Sequence, residues 1–184
     1  MDLPQIIKGC VKQNRHAQEE LYHKYKKILF VLCLKYCRNE TEAEDNLHNA
    51  FVEIFTNIKK FDGKGSFEGW IKRITINKAI DSYKNKYQLV PIKDDLSEGV
   101  YLEESTEIDL SLDSLLTLIQ ELPNQYRLVF CLYELDNYSH KEISILLSIS
   151  ESTSKSNLHR AKVILKEKIK QKKSFNDIIS QNGK

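Results

Sequence analysis

Apolar residues recur at helical spacing along most of this chain, and the repeat fails in one place. Leu21, Tyr25, Ile28, Leu29, Leu32 and Tyr36 share a face of one long predicted helix. Leu47, Phe51, Ile54, Phe55 and Ile58 share a face of a second. Phe67, Trp70, Ile71, Ile74 and Ile80 share a face of a third, from about Phe67 to Lys86. No stretch alternates with the two-residue period of a half-buried strand. From Gln88 to Ser111 the stripe is gone, replaced by Pro91, Asp94, Asp95, Gly99, Glu103, Glu104, Glu107 and Asp109. A polar run of that kind cannot continue a core. The expected fold is therefore all-α: two small helical domains, 1–87 and 112–173, joined by an acidic linker, 88–111, with a tail at 174–184.

Helix boundaries can be placed from local chemistry. Asn39-Glu40 break the long helix, and Thr41-x-x-Glu44 predicts a capping box that opens the next. In the second domain Leu115, Leu118, Ile119 and Leu122 end at Pro123, which stops or kinks a helix. Leu128, Val129, Leu132 and Leu135 follow, as far as Asp136-Asn137. Ser139-x-x-Glu142 predicts a second capping box, opening a short helix with Ile143, Leu146 and Leu147 inward. Ser148-Ile149-Ser150 makes a tight connection, and Ser150 can cap a longer helix bearing Lys155, Asn157, His159, Arg160 and Lys162. A short helix, a tight turn and a longer basic helix describe a helix-turn-helix, whose second helix enters a major groove. An ordinary helical hairpin is the alternative at this point.

The net charge of +2 hides an uneven distribution. Residues 1–90 hold 16 Lys and Arg against 11 Asp and Glu; 91–121 hold one against nine; 122–184 hold 11 against six. Basic lobes suit a polyanion, since each neutralised phosphate releases counterions. Solvated helix surfaces give similar totals, so charge alone decides nothing.

Several classes drop out. The longest apolar run, Ile28 to Leu34, is far shorter than the ~20 residues of a membrane span. Met1-Asp2-Leu3-Pro4 does not begin a signal peptide. Cys10, Cys33, Cys37 and Cys131 lack a secreted framework, which favours a reducing cytoplasm. Gly63-Lys64-Gly65-Ser66 lacks the contiguous G-K-[ST] of a phosphate loop. Cys33 and Cys37 lie one helical turn apart without a second pair to complete a metal site, and their apolar surroundings favour the core. No catalytic set, metal or cofactor is expected, and the chain is not expected to be an enzyme.

Three motifs then point to a family. Glu42-Ala43-Glu44-Asp45-Asn46-Leu47-His48-Asn49-Ala50-Phe51 resembles the D-A-E-D-x-x-Q-x-x-F signature of bacterial sigma factors of the extracytoplasmic-function (ECF) type. Phe67-x-x-Trp70-Ile71-x-Arg73-Ile74-x-x-Asn77-x-x-x-Asp81-x-x-Lys84 is similar to that family's F-x-x-W-L-x-R-I-A-x-N-x-x-x-D-x-x-R. Leu122-Pro123-x-x-x-Arg127-x-Val129-Phe130, Glu142-Ile143-Ser144 and Ser152 to Ala161 resemble its DNA-binding module. The likeness spans about residues 5–170, and three motifs in the right order are more specific than one.

The resemblance implies a subunit that binds core RNA polymerase and directs promoter-specific initiation. Region 2 would dock on the polymerase clamp and capture the melted minus-ten strand; region 4 would bind the minus-thirty-five duplex. It implies Glu44, Asp45, His48 and Asn49 as the docking face, with His48 where glutamine is usual. Phe61, Lys64 and Ser66 would lie at the loop that pockets an unstacked base. Lys72, Arg73, Asn77, Lys78 and Lys84 would hold phosphates and base edges, with Tyr83 or Tyr87 for stacking; Trp70 falls in step with the core. Ser152, Thr153, Lys155, Ser156, His159 and Arg160 would contact duplex DNA. Ser148 stands where glycine usually turns the chain, Ser154 where valine packs, and Asn157 where arginine is usual. The acidic linker would thread a polymerase channel or act as a solvated tether. An anti-sigma factor joins the expected partners, and membrane insertion does not. A helix-turn-helix regulator acting without polymerase and a helical protein-interaction module are the competing classes. The first domain discriminates, because neither needs it in this form.

Overall fold

The computed structural model describes residues 2–86 and 111–182, with side chains described as far as 172. The predicted linker, apart from Ser111, lies outside the described residues, and so does Tyr87. Among the described residues every regular element is helical.

Four α-helices build the first domain. Helix α1 (Leu3–Val11) is capped by Asp2, whose carboxylate accepts from Gln5 N–H at 2.9 Å. Helix α2 (Arg15–Tyr36) is capped by Asn14, which accepts from Ala17 N–H at 3.0 Å. Helix α3 (Glu40–Asn57) runs into a 3₁₀ turn at Ile58–Lys60, and α4 (Phe67–Lys86) follows the Gly-bearing loop. Leu21 and Leu29 of α2, Ile54 of α3 and Ile71 and Ile80 of α4 are all but fully buried. Helix α2 is the central element, packing on α1, α3 and α4.

The predicted Thr41–Glu44 capping box does not form. Asn39 takes the N-cap instead and accepts from Glu42 N–H at 2.9 Å, while Glu42 Oε2 accepts from Arg38 N–H at 3.1 Å. The helix thus starts at Glu40, because Asn39 already satisfies an orphan donor of the first turn.

In the second domain α5 (Leu112–Gln120) and α6 (Asn124–Phe130) flank Pro123 as expected. Arg127 is 3% exposed and donates to Gln120 O at 3.2 Å and Leu122 O at 3.5 Å, satisfying carbonyls at the end of α5. A π-helical turn, Cys131–Leu135, follows α6 and ends where Asp136 N–H reaches Cys131 O at 3.1 Å. Helices α7 (His140–Leu147) and α8 (Glu151–Asn182) complete the chain, α8 continuing past the boundary expected at 173. Leu128, Leu132, Ile143 and Leu147 are fully buried. The cores of the two domains join into one contiguous cluster, with α2 packed on α5 and α6.

Candidate nucleic-acid and partner interfaces

Helix α3 divides sharply between its faces. Ala43, Asn46, Leu47, Ala50 and Phe51 turn inward, which leaves Glu44, Asp45, His48 and Asn49 all exposed. Buried Asn46 is satisfied: its Nδ2 donates to Thr75 O at 3.2 Å and to Cys33 Sγ at 3.3 Å. Beside Glu44 and His48 lies a groove of about 530 Å³ whose walls include Tyr22, Phe30 and Phe51. Val52 borders it and is 54% exposed. The expected docking face held only the polar residues, although Leu47 and Phe51 of the same motif also line the groove. The apolar groove was signalled by Phe30, an aromatic residue outside the buried stripe of α2.

The loop before α4 turns on two glycines in the left-handed region, Gly63 at φ 77° and Gly65 at φ 84°. Lys64 N–H donates to Asp62 Oδ1 at 3.0 Å, and the Lys64 ammonium is exposed. Ser66 Oγ accepts from Gly69 N–H at 3.0 Å, so this side chain starts α4. Phe61 is half-buried, edge-on to Phe67 at 5.1 Å and 5.7 Å from the Trp70 ring. It roots the loop in the domain. Trp70 packs on the core as expected but stays half-buried.

On α4, Arg73 and Asn77 point outward and are exposed. Lys72 pairs with Glu68 at 2.6 Å, and Lys78 pairs with Glu53 at 2.8 Å. The Lys78 hydrogen bond leads the causes that hold the Glu53 carboxyl below its ordinary value. Lys84 Nζ lies 3.5 Å from Ser148 Oγ, and Tyr83 is half-buried. The five polar and basic residues expected on one helix therefore differ: Arg73 and Asn77 are exposed, Lys72 and Lys78 already hold carboxylates, and Lys84 faces Ser148.

The helix-turn-helix forms as the sequence predicts. Ser139 Oγ accepts from Glu142 N–H at 3.2 Å and Glu142 Oε2 accepts from Ser139 N–H at 2.8 Å, closing the capping box. Ser148 sits at φ 55°, ψ 45°, the left-handed position that glycine usually takes. Ser150 Oγ accepts from Thr153 N–H at 3.0 Å and caps α8. Ser154 is buried, its hydroxyl 2.9 Å from His140 Nδ1, and the His140 ring stacks on Tyr133 at 4.4 Å. Desolvation, then nearby Lys155, pushes His140 below its ordinary value, leaving the ring neutral at pH 7.

Helix α8 exposes Ser152, Lys155, His159 and Lys162, spaced as one row. Thr153, Ser156 and Arg160 are half-buried, and Arg160 Nη1 donates to Tyr126 Oη at 3.3 Å. Lys162 pairs with Glu134 at 2.7 Å. Asn157, placed by sequence on the basic helix, is only 2% exposed and faces the core. Its signal was available: it lies one residue before Leu158 and three after Ser154, both buried.

All four cysteines are buried thiols. Burial pushes Cys33 to about 11 and Cys37 and Cys131 to about 12. Among the described residues no group of His, Cys, Asp and Glu could hold a metal, and no helix is long and apolar enough to cross a membrane.

The family model for Sigma-70 region 2 matches residues 21–88, and that for Sigma-70, region 4 matches residues 112–165. The two matches fall on the two helical domains, in the order that the motifs imply. The chain belongs to the sigma-70 family. Among relatives, the ECF RNA polymerase sigma factor SigW of Bacillus subtilis (strain 168) is 29% identical over 184 residues, covering 92% of this chain and 98% of that one. The ECF sigma factor SigM of the same organism is 29% identical over 151 residues, covering 80% and 92%. The fold is shared with the sigma factor RpoE of Bartonella quintana, solved with the anti-sigma factor NepR: TM-score 0.53, 17% identity, 83% of this chain and 96% of that chain. As a sigma factor of the ECF type, the protein binds core RNA polymerase and directs promoter-specific transcription initiation.

Proposed function

We propose a division of labour among three surfaces of this sigma factor. Glu44, Asp45, His48 and Asn49, with the neighbouring apolar groove, dock on core polymerase. A polar rim around an apolar centre is the usual composition of a protein interface. The loop from Phe61 to Ser66 and the outward residues of α4 take the melted minus-ten strand. Glycines at 63 and 65 let the backbone approach a base closely. Arg73 and Asn77 make the first contacts, while Lys72 and Lys78 exchange carboxylates for phosphates. Lys84 extends that surface. In region 4, Lys155 and His159 lead the contacts to minus-thirty-five duplex, with Ser152, Thr153, Ser156 and Arg160 around them.

The observation that carries this proposal is the segregation of exposed chemistry: an acidic-polar face on α3 and cationic rows on α4 and α8. The protein acts without covalent chemistry, as a specificity subunit in the cytoplasm. Residues 1–87 and 112–173 serve as regions 2 and 4, 88–111 as the connector and 174–184 as a tail. An anti-sigma factor is a fitting regulator, since RpoE of the same fold was crystallised with one.

The test compares two sets of alanine substitutions. Changing Lys155 and His159 should weaken binding to minus-thirty-five duplex, with the salt slope falling by about one for each phosphate left unneutralised. Changing Arg73 and Asn77 should leave duplex binding intact and impair open-complex formation by the holoenzyme. Loss of duplex affinity alone in both sets would refute the division.

A further inference from the structure

A cleft of about 460 Å³ opens where the end of α2 meets the corner between α5 and α6. It is lined by Arg38, Gln120, Glu121, Leu122, Pro123, Asn124 and Arg127, none of them assigned above to polymerase or DNA. Its size is that of a site for a small ligand. Contacts between the domains hold Arg38 in place. Gln120 Nε2 donates to Leu34 O at 3.1 Å, and Lys35 Nζ and Tyr36 Oη donate to Asp136 Oδ2 at 2.9 and 2.7 Å.

Arg127 brings a charge into this cleft that the fold leaves uncompensated. Its Nη1 donates to Gln120 O and Leu122 O and its Nη2 to Asn124 Oδ1 at 3.1 Å, all neutral acceptors. The Nε–H has no acceptor, and among the described residues no carboxylate forms an ion pair with this guanidinium. A side chain so nearly covered is ordinarily paired when charged. Burial pushes Arg127 below its ordinary value, and Arg38 is near enough to add to that push. The Cys37 and Cys131 thiols beside it are raised to about 12, so they carry no charge at pH 7. Nearby carboxylates are engaged elsewhere. Glu42 accepts from Arg38 N–H at 3.1 Å and pairs with Lys86 at 3.4 Å, while Glu121 pairs with Lys168.

We propose that this cleft binds a small phosphoryl anion as the counter-charge of Arg127, with the Arg38 guanidinium closing on it from the mouth. Planar guanidinium groups match the oxygens of a phosphoryl group in pairs, and such charge-assisted hydrogen bonds are strong. The anion would relieve the repulsion between the two arginines and give the Nε–H an acceptor. Two guanidiniums at one point suit a compact anion; a strand needs cations spread along its backbone.

The experiment titrates the full ¹⁵N-labelled chain with orthophosphate and with pyrophosphate at constant ionic strength. Calorimetry gives the affinity, and NMR follows the arginine Nε–H signals. One saturable site is expected, with the Arg127 Nε–H signal moving as it gains an acceptor. Arg127→Lys should abolish binding and delete that signal. Arg38→Ala alters an exposed residue and keeps the fold testable if Arg127→Lys does not fold; it should weaken binding about tenfold, the effect of losing hydrogen bonds to a charged group. Arg73→Ala and Lys155→Ala should leave the affinity unchanged. Absence of saturable binding, or an unaltered affinity in Arg38→Ala, would overturn the proposal. Loss of binding in Arg73→Ala or Lys155→Ala instead would place the anion on the DNA-facing rows and overturn it too. Displacement of pyrophosphate from Arg127 by a short oligonucleotide would make the cleft part of a nucleic-acid surface and reject the small anion.

Discussion

At Gly9 a single hydrogen atom sets how closely α1 and α2 approach. A Cβ there would lie 2.5 Å from Ala17 Cβ, which requires one helix to move. Alanine has the better helix propensity, by about 1 kcal/mol. Overpacking a tight site costs about 1–3 kcal/mol, and the partner here is a short side chain without another rotamer to adopt. The cost wins. Gly9→Ala should lower stability by about 1 kcal/mol in urea unfolding, with the slope unchanged; a stabilised variant would show that α1 is free to shift. The same scale explains why four free cysteines are no liability. Thiols raised by burial hold little thiolate at neutral pH, so they pack as small apolar residues.

Helix starts show what a sequence pattern can and cannot convey. Ser139-x-x-Glu142 was legible and forms in full, so Ser139→Ala should cost about 1 kcal/mol by thermal melting. Backbone and hydroxyl bonds from Ser139 hold the Glu142 carboxyl below its ordinary value. Its contribution is therefore complete above the ordinary carboxylate range and fades as pH falls through the lowered value. Glu142→Gln should flatten that acid limb of the stability profile; an identical limb would exclude the carboxylate as its source. Thr41-x-x-Glu44 was equally legible and does not form. Asn39, two residues earlier, is also a good cap, and spacing alone does not rank two overlapping caps. The left-handed Ser148 was readable from its place between two helices. The π-helical turn was not: Leu128, Leu132 and Leu135 read as one helical stripe, whereas the i→i−5 closure breaks that register and leaves Leu135 39% exposed. The groove beside α3 was missed for a related reason: it depends on which side chains two helices leave uncovered.

For the whole molecule, the order of motifs carried the fold class and the family, while the seam between domains was beyond reach. Lys35 and Asp136 look like ordinary surface residues, and Tyr36 like the last of a core stripe, until the backbone brings together positions a hundred residues apart. Docking has its own expected outcome. Reversing charge at Glu44 and Asp45 should abolish association with core polymerase on a sizing column. Melting temperature should barely move, since both residues are exposed and without tertiary burial. Holoenzyme assembly by that variant would remove them from the docking face. Trp70, finally, is the chain's single tryptophan, and it sits half-buried against Phe61 and Phe67 at the root of the glycine loop. Its emission comes from one known place, so the native protein carries an internal optical gauge: intensity and wavelength report any change at that loop in real time, with no label attached, and so read directly whether a base enters it.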